Sequence, residues 1–330
     1  MPKNASRPTL SHRQINNSSL LLNKHTHPQH QSMGNCNFKT SKDKESTAQL
    51  SKNNFNQVYA VGRGGFGKVW RVESKKDKNE QFAMKEMAKA RIITKKSVPS
   101  VMNELKLLSM IKSEFIVNVH YAFQDNMNLY LVMDLLLGGD LRYHIARRRK
   151  FPMDTTRFFI ACLVHALEAV HSQLIIHRDI KPENLVFDNE GYLRLTDFGV
   201  ARILSPDNAS ETSGTPGYMA PEVMCRQNHG LAADYFAVGV IAYECMMGER
   251  PYKGRTRKDI RDQILFRQVS IKKPDIPAGW NERAADFINK CLQRKPVNRI
   301  GYNNGTSELK SHPWFDDFSW DQLANRSMQS

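Results

Sequence analysis

The sequence predicts an α+β fold in two lobes: a small lobe built on an antiparallel β-sheet plus one helix, then a larger, mostly helical lobe. Three observations predict it. Short segments rich in Val, Tyr, Phe and Trp crowd residues 55–134. Apolar residues at helical spacing dominate from about residue 155 onward. The Gly138-Gly139 step separates the two regimes.

Taken in order, residues 1–52 are rich in Asn, Ser, His, Gln and Lys, and Phe38 is their sole aromatic. Such a stretch buries too little apolar area to offset its chain entropy, so a disordered polar and basic extension is expected. His25, His27 and His30 within it read as part of that polar tract rather than as a metal site. Segments 55–61, 68–73 and 80–86 read as strands. Segment 99–111 reads as a helix, with Val101, Leu105, Leu108 and Ile111 on one face. Segments 118–123 and 129–134 read as two more strands. Helices are predicted over 155–172, 231–247, 256–267 and 284–292. Order is thus expected from about residue 55, with a small β-rich lobe followed by a larger helical lobe.

A chain of 330 residues, 40% of them hydrophobic, suits one large domain or two medium ones. The formal charge of +15 favours acidic partners. No basic-plus-aromatic module accompanies it, so direct nucleic-acid binding is not expected. The five cysteines, Cys36, Cys162, Cys225, Cys245 and Cys291, form no C-x-x-C pair, which argues against a disulfide framework or zinc site. A reducing, cytoplasmic location fits, with the membrane surface or nucleus as alternatives. No run of about 18 apolar residues spans a membrane.

The first chemical signal is Gly62-Arg-Gly64-Gly-Phe66-Gly67-Lys68-Val69. Read as a dinucleotide fingerprint, it needs a helix next, but Val69-Trp70-Arg71-Val72 is strand-like. Read as a P-loop, it needs Ser or Thr after the Lys, and Val69 cannot ligate a metal. Read as a flap between two strands, it fits: glycines let backbone N–H groups approach phosphate oxygens without a Cβ clash. Lys85 sits on the third predicted strand, and Glu104 follows 19 residues later on the predicted helix. Alone the two read as surface charges. With the glycine flap they become a phosphate-gripping lysine and its anchoring carboxylate.

More specific is His177-Arg178-Asp179-Ile180-Lys181-Pro182-Glu183-Asn184, which follows the apolar Leu174-Ile175-Ile176. Asp179 suits proton acceptance from a hydroxyl, and Asn184 offers a neutral oxygen to magnesium. Asp197-Phe198-Gly199 comes next, with a carboxylate able to bridge magnesium to phosphates, and Ala220-Pro221-Glu222 closes the segment.

With these motifs in this order, the sequence resembles the eukaryotic protein kinase family from about residue 55 to 315. The resemblance implies a bilobal protein kinase fold, with a catalytic domain over 55–315 (small lobe 55–134, large lobe 135–315, a hinge at 134–137) and a short extension 316–330, and transfer of the γ-phosphate of ATP, with Mg2+, to protein hydroxyls. It implies that Gly62, Gly64, Phe66, Gly67, Val69, Ala83, Lys85, Glu104, Met133, Asp140 and Leu185 form the ATP site. It implies Asp179, Lys181 and Thr215 as the catalytic group, and Asn184 and Asp197 as metal ligands. Lys181, two residues after Asp179, marks the serine/threonine branch. Asp234, opening Asp-Tyr-Phe-Ala-Val-Gly239, matches a D-x-W-x-x-G helix with Phe236 for Trp, and Arg299 matches the partner of Glu222.

Within the family, Phe66, Gly138-Gly139-Asp140-Leu141, Gly-Thr-Pro-x-Tyr218 and His312-Pro313-Trp314-Phe315 resemble the AGC group. Calcium/calmodulin-dependent kinases are the alternative. Asp140, Glu183 and Glu244 match acids that read arginines ahead of the phosphosite, which implies protein substrates with basic residues before Ser or Thr; Asp140 equally suits a ribose contact. Gly217 stands where the group commonly has an acid. Glu211 stands where the group has its activation-loop Thr, so either Glu211 supplies a constant negative charge or Thr212 or Ser213 is phosphorylated. The chain ends at Ser330, short of the group's long tail with its F-x-x-F motif, so activation by tail docking is not expected. Finally, if translation began at Met33, Gly34 and Cys36 would suit myristate and palmitate, giving peripheral membrane association.

Overall fold

A computed structural model describes residues 50–328 of the chain. The polar extension up to residue 49 lies outside the described residues, and with it His25, His27, His30 and the Met33-Gly34-Asn35-Cys36 motif.

The small lobe is a five-stranded antiparallel sheet of β1 (Phe55–Arg63), β2 (Gly67–Ser74), β3 (Gln81–Ala88), β4 (Val119–Gln124) and β5 (Asn128–Asp134) in the order β1-β2-β3-β5-β4. Each strand starts and ends within two residues of its predicted span. Val72, Met84, Tyr130 and Val132 form the core of the lobe under Phe55 and Phe82. Two helices cross the sheet's other flank: short α1 (Lys89–Thr94) and α2 (Val98–Met110). The first of these carries no sequence signal, since a six-residue segment shows less than two turns of period. Val101, Leu107 and Leu108 bury the inner face of α2.

After β5 the chain passes through Leu135–Gly138 into α3 (Leu141–Arg148), whose N-cap is Asp140: its carboxylate accepts the Tyr143 N–H at 2.7 Å. The large lobe then builds on α4 (Met153–Ser172), α6 (Ala232–Met247) and α8 (Glu282–Cys291). Helix α6 is apolar nearly all round and lies inside the lobe, as such a helix must. Gly239 is required there, because a Cβ would meet Cys291 of α8 at 2.6 Å. The strand pairs β6 (Ile175–Ile176) with β9 (Arg202–Ile203), and β7 (Leu185–Phe187) with β8 (Leu193–Leu195), frame the catalytic segment. Helices α5 (Pro221–Met224), α7 (Arg257–Phe266), α9 (Thr306–Lys310) and α10 (Trp320–Ala324) complete the lobe.

Two polar clusters fasten it. The Arg299 guanidinium is wholly buried, with a bidentate bond to Glu222 (2.6 and 3.0 Å) and donations to Ala232 O and Gln293 O. Phe236 lies under that guanidinium and stacks on Tyr252, filling the place expected of a Trp. Arg326 reaches back from the C-terminal segment to Asp188 at 2.6 Å and Glu190 at 2.9 Å. Among the described residues, the four cysteines are free, and no helix is long and apolar enough to cross a membrane.

Candidate active site

The cleft between the lobes is floored by the segment joining β6 to β8. Its backbone is held in an uncommon conformation: Arg178 (φ 67°) and Asp197 (φ 63°) both occupy the left-handed region. Buried Asp234, at the start of α6, compensates for the first. Its carboxylate accepts the N–H groups of His177 and Arg178, each at 2.9 Å, and a bond from His171. Burial would raise the Asp234 carboxyl, but these donors outweigh it and hold it below the usual carboxylate range.

On this frame Asp179 is fixed from three sides. Thr215 Oγ1 donates to its Oδ1 at 2.6 Å, Lys181 Nζ to its Oδ2 at 2.7 Å, and Asn184 Nδ2 to the same oxygen at 3.2 Å. Lys181 also donates to Thr215 at 2.9 Å, closing a ring of carboxylate, ammonium and hydroxyl. The backbone carbonyl of Asn184 takes the Thr196 N–H and hydroxyl, which binds the start of the Asp197 segment to it. Asn184 commits its amide nitrogen to Asp179 and, among the described residues, leaves its amide oxygen uncommitted, while the Gly199 N–H donates to the Asp197 carboxylate at 3.1 Å. One carboxylate and one amide oxygen are hard donors of the type magnesium takes when phosphates complete its shell. Among the described residues no cluster of three or more His, Cys, Asp or Glu could hold a metal alone, so the residues fit a shared ion rather than a caged one.

The roof comes from the sheet. Lys85 pairs across β2 with Val69, and Ala83 pairs across β5 with Met133, so these four share one patch of strand; Leu185 opens β7 below. Lys85 Nζ bonds Glu104 Oε1 at 2.8 Å. Two contacts the sequence reading missed carry Glu104 toward Asp197: Ser100 Oγ donates to Gly199 O at 2.6 Å, and Asn103 Nδ2 to Ala201 O at 2.9 Å. Helix α2 is therefore docked on the Asp197 segment. Phe198 is fully buried edge-on to His177. Burial pushes the His177 imidazole down, so it stays neutral at physiological pH.

Within the glycine flap, Gly67 is sterically obligatory, since a Cβ there would stand 1.9 Å from Glu86 O. At Gly62 and Gly64 a Cβ would meet nothing within 4 Å, so the backbone there faces open space, as a phosphate-covering flap requires. Phe66, at the flap tip, packs on the same apolar cluster as Met133. It packs toward Met87 and Ile92 with Lys95 over its ring, and Lys95 Nζ ties down Gly65 O at 2.9 Å. Asp140, half exposed, sits beyond the hinge as the α3 cap.

The loop after Asp197 is held by Glu211, which bonds Arg178 Nη1 at 2.7 Å while its own carbonyl takes the same group at 3.0 Å. Burial depresses the basicity of Arg178, and the Glu211 carboxylate opposes that loss. Of the two readings left open by the sequence, the geometry thus has the carboxylate in contact with Arg178, with Thr212 exposed beside it.

Comparison with known proteins agrees with this geometry. The family described as the protein kinase domain matches residues 55–315. A probable serine/threonine-protein kinase of Dictyostelium discoideum is 38% identical over 84% of this chain and 60% of its own length. The cAMP-dependent protein kinase catalytic subunit of the same organism is 36% identical over 82% of the chain and 41% of that protein. Human cGMP-dependent protein kinase 2 is 34% identical over 94% of the chain and 42% of that protein. The chain therefore spans between two fifths and three fifths of the length of these relatives.

Proposed function

This chain belongs to the protein kinase domain family and is AGC-like, and from that premise we propose that it transfers the γ-phosphoryl group of magnesium-bound ATP to serine and threonine hydroxyls of other proteins. The observation that carries this reading is the closed ring of Asp179, Lys181 and Thr215 with Asn184 behind it. A carboxylate fixed on three sides cannot swing away, so it presents one geometry to an incoming hydroxyl.

Asp179 orients the attacking hydroxyl and receives its proton. Lys181, bonded to that carboxylate, supplies positive charge that stabilises the transferring group. Lys85, anchored by Glu104, holds the phosphate chain from above, and the backbone of Gly62 and Gly64 covers it. Val69, Ala83, Met133 and Leu185 supply apolar surface for the base, with Asp140 at the ribose edge. Asn184 and Asp197 would hold magnesium, which would supply charge neutralisation at the phosphate oxygens. Little covalent chemistry is asked of the protein; positioning and electrostatics supply the rate.

Exposed carboxylate at Glu183 and half-exposed Asp140 supports a preference for substrates with basic residues before the acceptor. The test is phosphorylation of Ser- and Thr-containing basic peptides by the full chain with magnesium and labelled ATP. Asp197→Ala is expected to abolish transfer. Equal transfer by wild type and Asp197→Ala, or none by wild type to any peptide, refutes the reading.

A further inference from the structure

The acids beside the catalytic ring already have a guanidinium on them. Arg142, the second residue of α3, donates from Nε to Glu183 Oε1 at 3.0 Å, and from Nη1 and Nη2 to the two oxygens of Glu244 at 2.8 and 3.2 Å. Nη2 also meets the Tyr218 hydroxyl, which itself donates to Glu244 Oε2 at 2.7 Å. Glu183 lies between Lys181 and Asn184, and Tyr218 lies three residues beyond Thr215. Arg142 thus bridges the two segments that bear the catalytic ring.

The chemistry of that bridge decides what is left for a substrate. Glu244 has 6% of its side chain exposed and both oxygens engaged; Glu183 is 44% exposed and gives one oxygen to Arg142. Burial opposes charge on Arg142, yet the bonds from Glu244, Tyr218 and Glu183 outweigh it and keep the guanidinium firmly protonated. Two carboxylates carry two negative charges, and Arg142 cancels one. The bidentate fork, the geometry that separates arginine from lysine, is therefore already used internally.

We propose that Arg142 is a specificity-determining residue that occupies, from within the chain, the place of a substrate guanidinium, leaving only point-charge attraction at the outer oxygens of Glu183 and Asp140. The enzyme then reads upstream bases by charge, with arginine and lysine nearly equivalent. Removing Arg142 exposes Glu183, Glu244 and the Tyr218 hydroxyl as an arginine-selective pocket. This rests on the kinase reading above.

The experiment uses the full chain, magnesium-ATP and peptides that differ only in carrying Arg, Lys or Ala at the second or third residue before the acceptor Ser. The quantity read is the Arg-to-Lys ratio of kcat/KM. For wild type a ratio within about threefold of one is expected, as for a solvent-exposed ion pair. Arg142→Ala should raise it about tenfold or more, the factor that charge-assisted hydrogen bonds of about 1.5–3 kcal/mol supply. Adding Glu244→Gln to Arg142→Ala should return the ratio toward wild type, an outcome that mere loosening of α3 does not produce. Arg142→Gln, which keeps a donor for Glu244 but no charge, serves as a second variant if the alanine form does not fold. A wild-type ratio above tenfold, or an unchanged ratio in the folded Arg142 variants, overturns the proposal. Absence of transfer to every peptide instead refutes the reading it rests on.

Discussion

Replacing Arg299 with methionine strands the Glu222 carboxylate in the large lobe. Both side chains are almost without solvent contact, 0% and 3% exposed, so no water is at hand to solvate the remaining charge. The change removes two charge-assisted bonds of 2.6 and 3.0 Å and leaves the carbonyls of Ala232 and Gln293 without that donor. Breaking one partner of a buried pair costs about 3–5 kcal/mol. In a domain of this size each kcal/mol lowers Tm by roughly 2 °C, so a fall of about 6–10 °C is expected. Circular dichroism or scanning fluorimetry of the full chain reads it. The double variant Glu222→Met, Arg299→Met buries no charge and fills a similar volume, so it should recover at least about 1 kcal/mol over the single one. Wild-type stability in Arg299→Met, or a double variant that sums two independent losses, would refute the reasoning.

Four further outcomes follow from the same structure. Lys85→Met should lower kcat by about 10²-fold or more while the domain still folds, with a lower Tm because buried Glu104 loses its partner; steady-state kinetics and thermal melts check both. Ser100→Ala with Asn103→Ala removes the two bonds docking α2 on the Asp197 segment, together about 2 kcal/mol, and should reduce kcat/KM several-fold in peptide assays. Phosphatase treatment of wild type should leave activity unchanged, since Glu211 already holds Arg178, whereas Glu211→Gln should lower activity about tenfold; loss of activity on phosphatase treatment would show that Thr212 or Ser213 carries the charge instead. The Asp188 carboxyl is pushed up by burial but held below the usual carboxylate range by Arg326, the Tyr192 N–H and Arg194. Its folded pKa is thus depressed: the stabilisation is complete above the unfolded value of about 3.9 and is lost as pH falls through the lower folded value. The gap in urea midpoint between wild type and Arg326→Ala should therefore be constant from pH 7 to about 5 and close below about pH 4.

Much of the site was legible in the sequence because its chemistry is local. Asp179, Lys181 and Asn184 lie within six residues, and one turn of backbone suffices to bring them together, so residue type and spacing carry the meaning. Lys85 with Glu104 was legible only alongside the glycine flap, since alone each reads as a surface charge; the packing of α2 against β3 is what brings them to 2.8 Å. The small-lobe strands and the long helices were legible by period, whereas α1 and the two-residue strands β6 and β9 were not, since segments that short have no period to read.

Tertiary structure alone decided what happens between segments distant in the chain. Nothing in the sequence says that Arg142 falls on Glu183 and Glu244, which are 41 and 102 residues away, or that Ser100 reaches Gly199 across 99. Those acids were read as free for substrate arginines; their occupancy is set by how α3 packs against the catalytic segment and α6. Whether a carboxylate is a recognition site or an internal partner depends on which cation folding brings within 3 Å of it. That distance is a property of the packed core and not of any local run of residues.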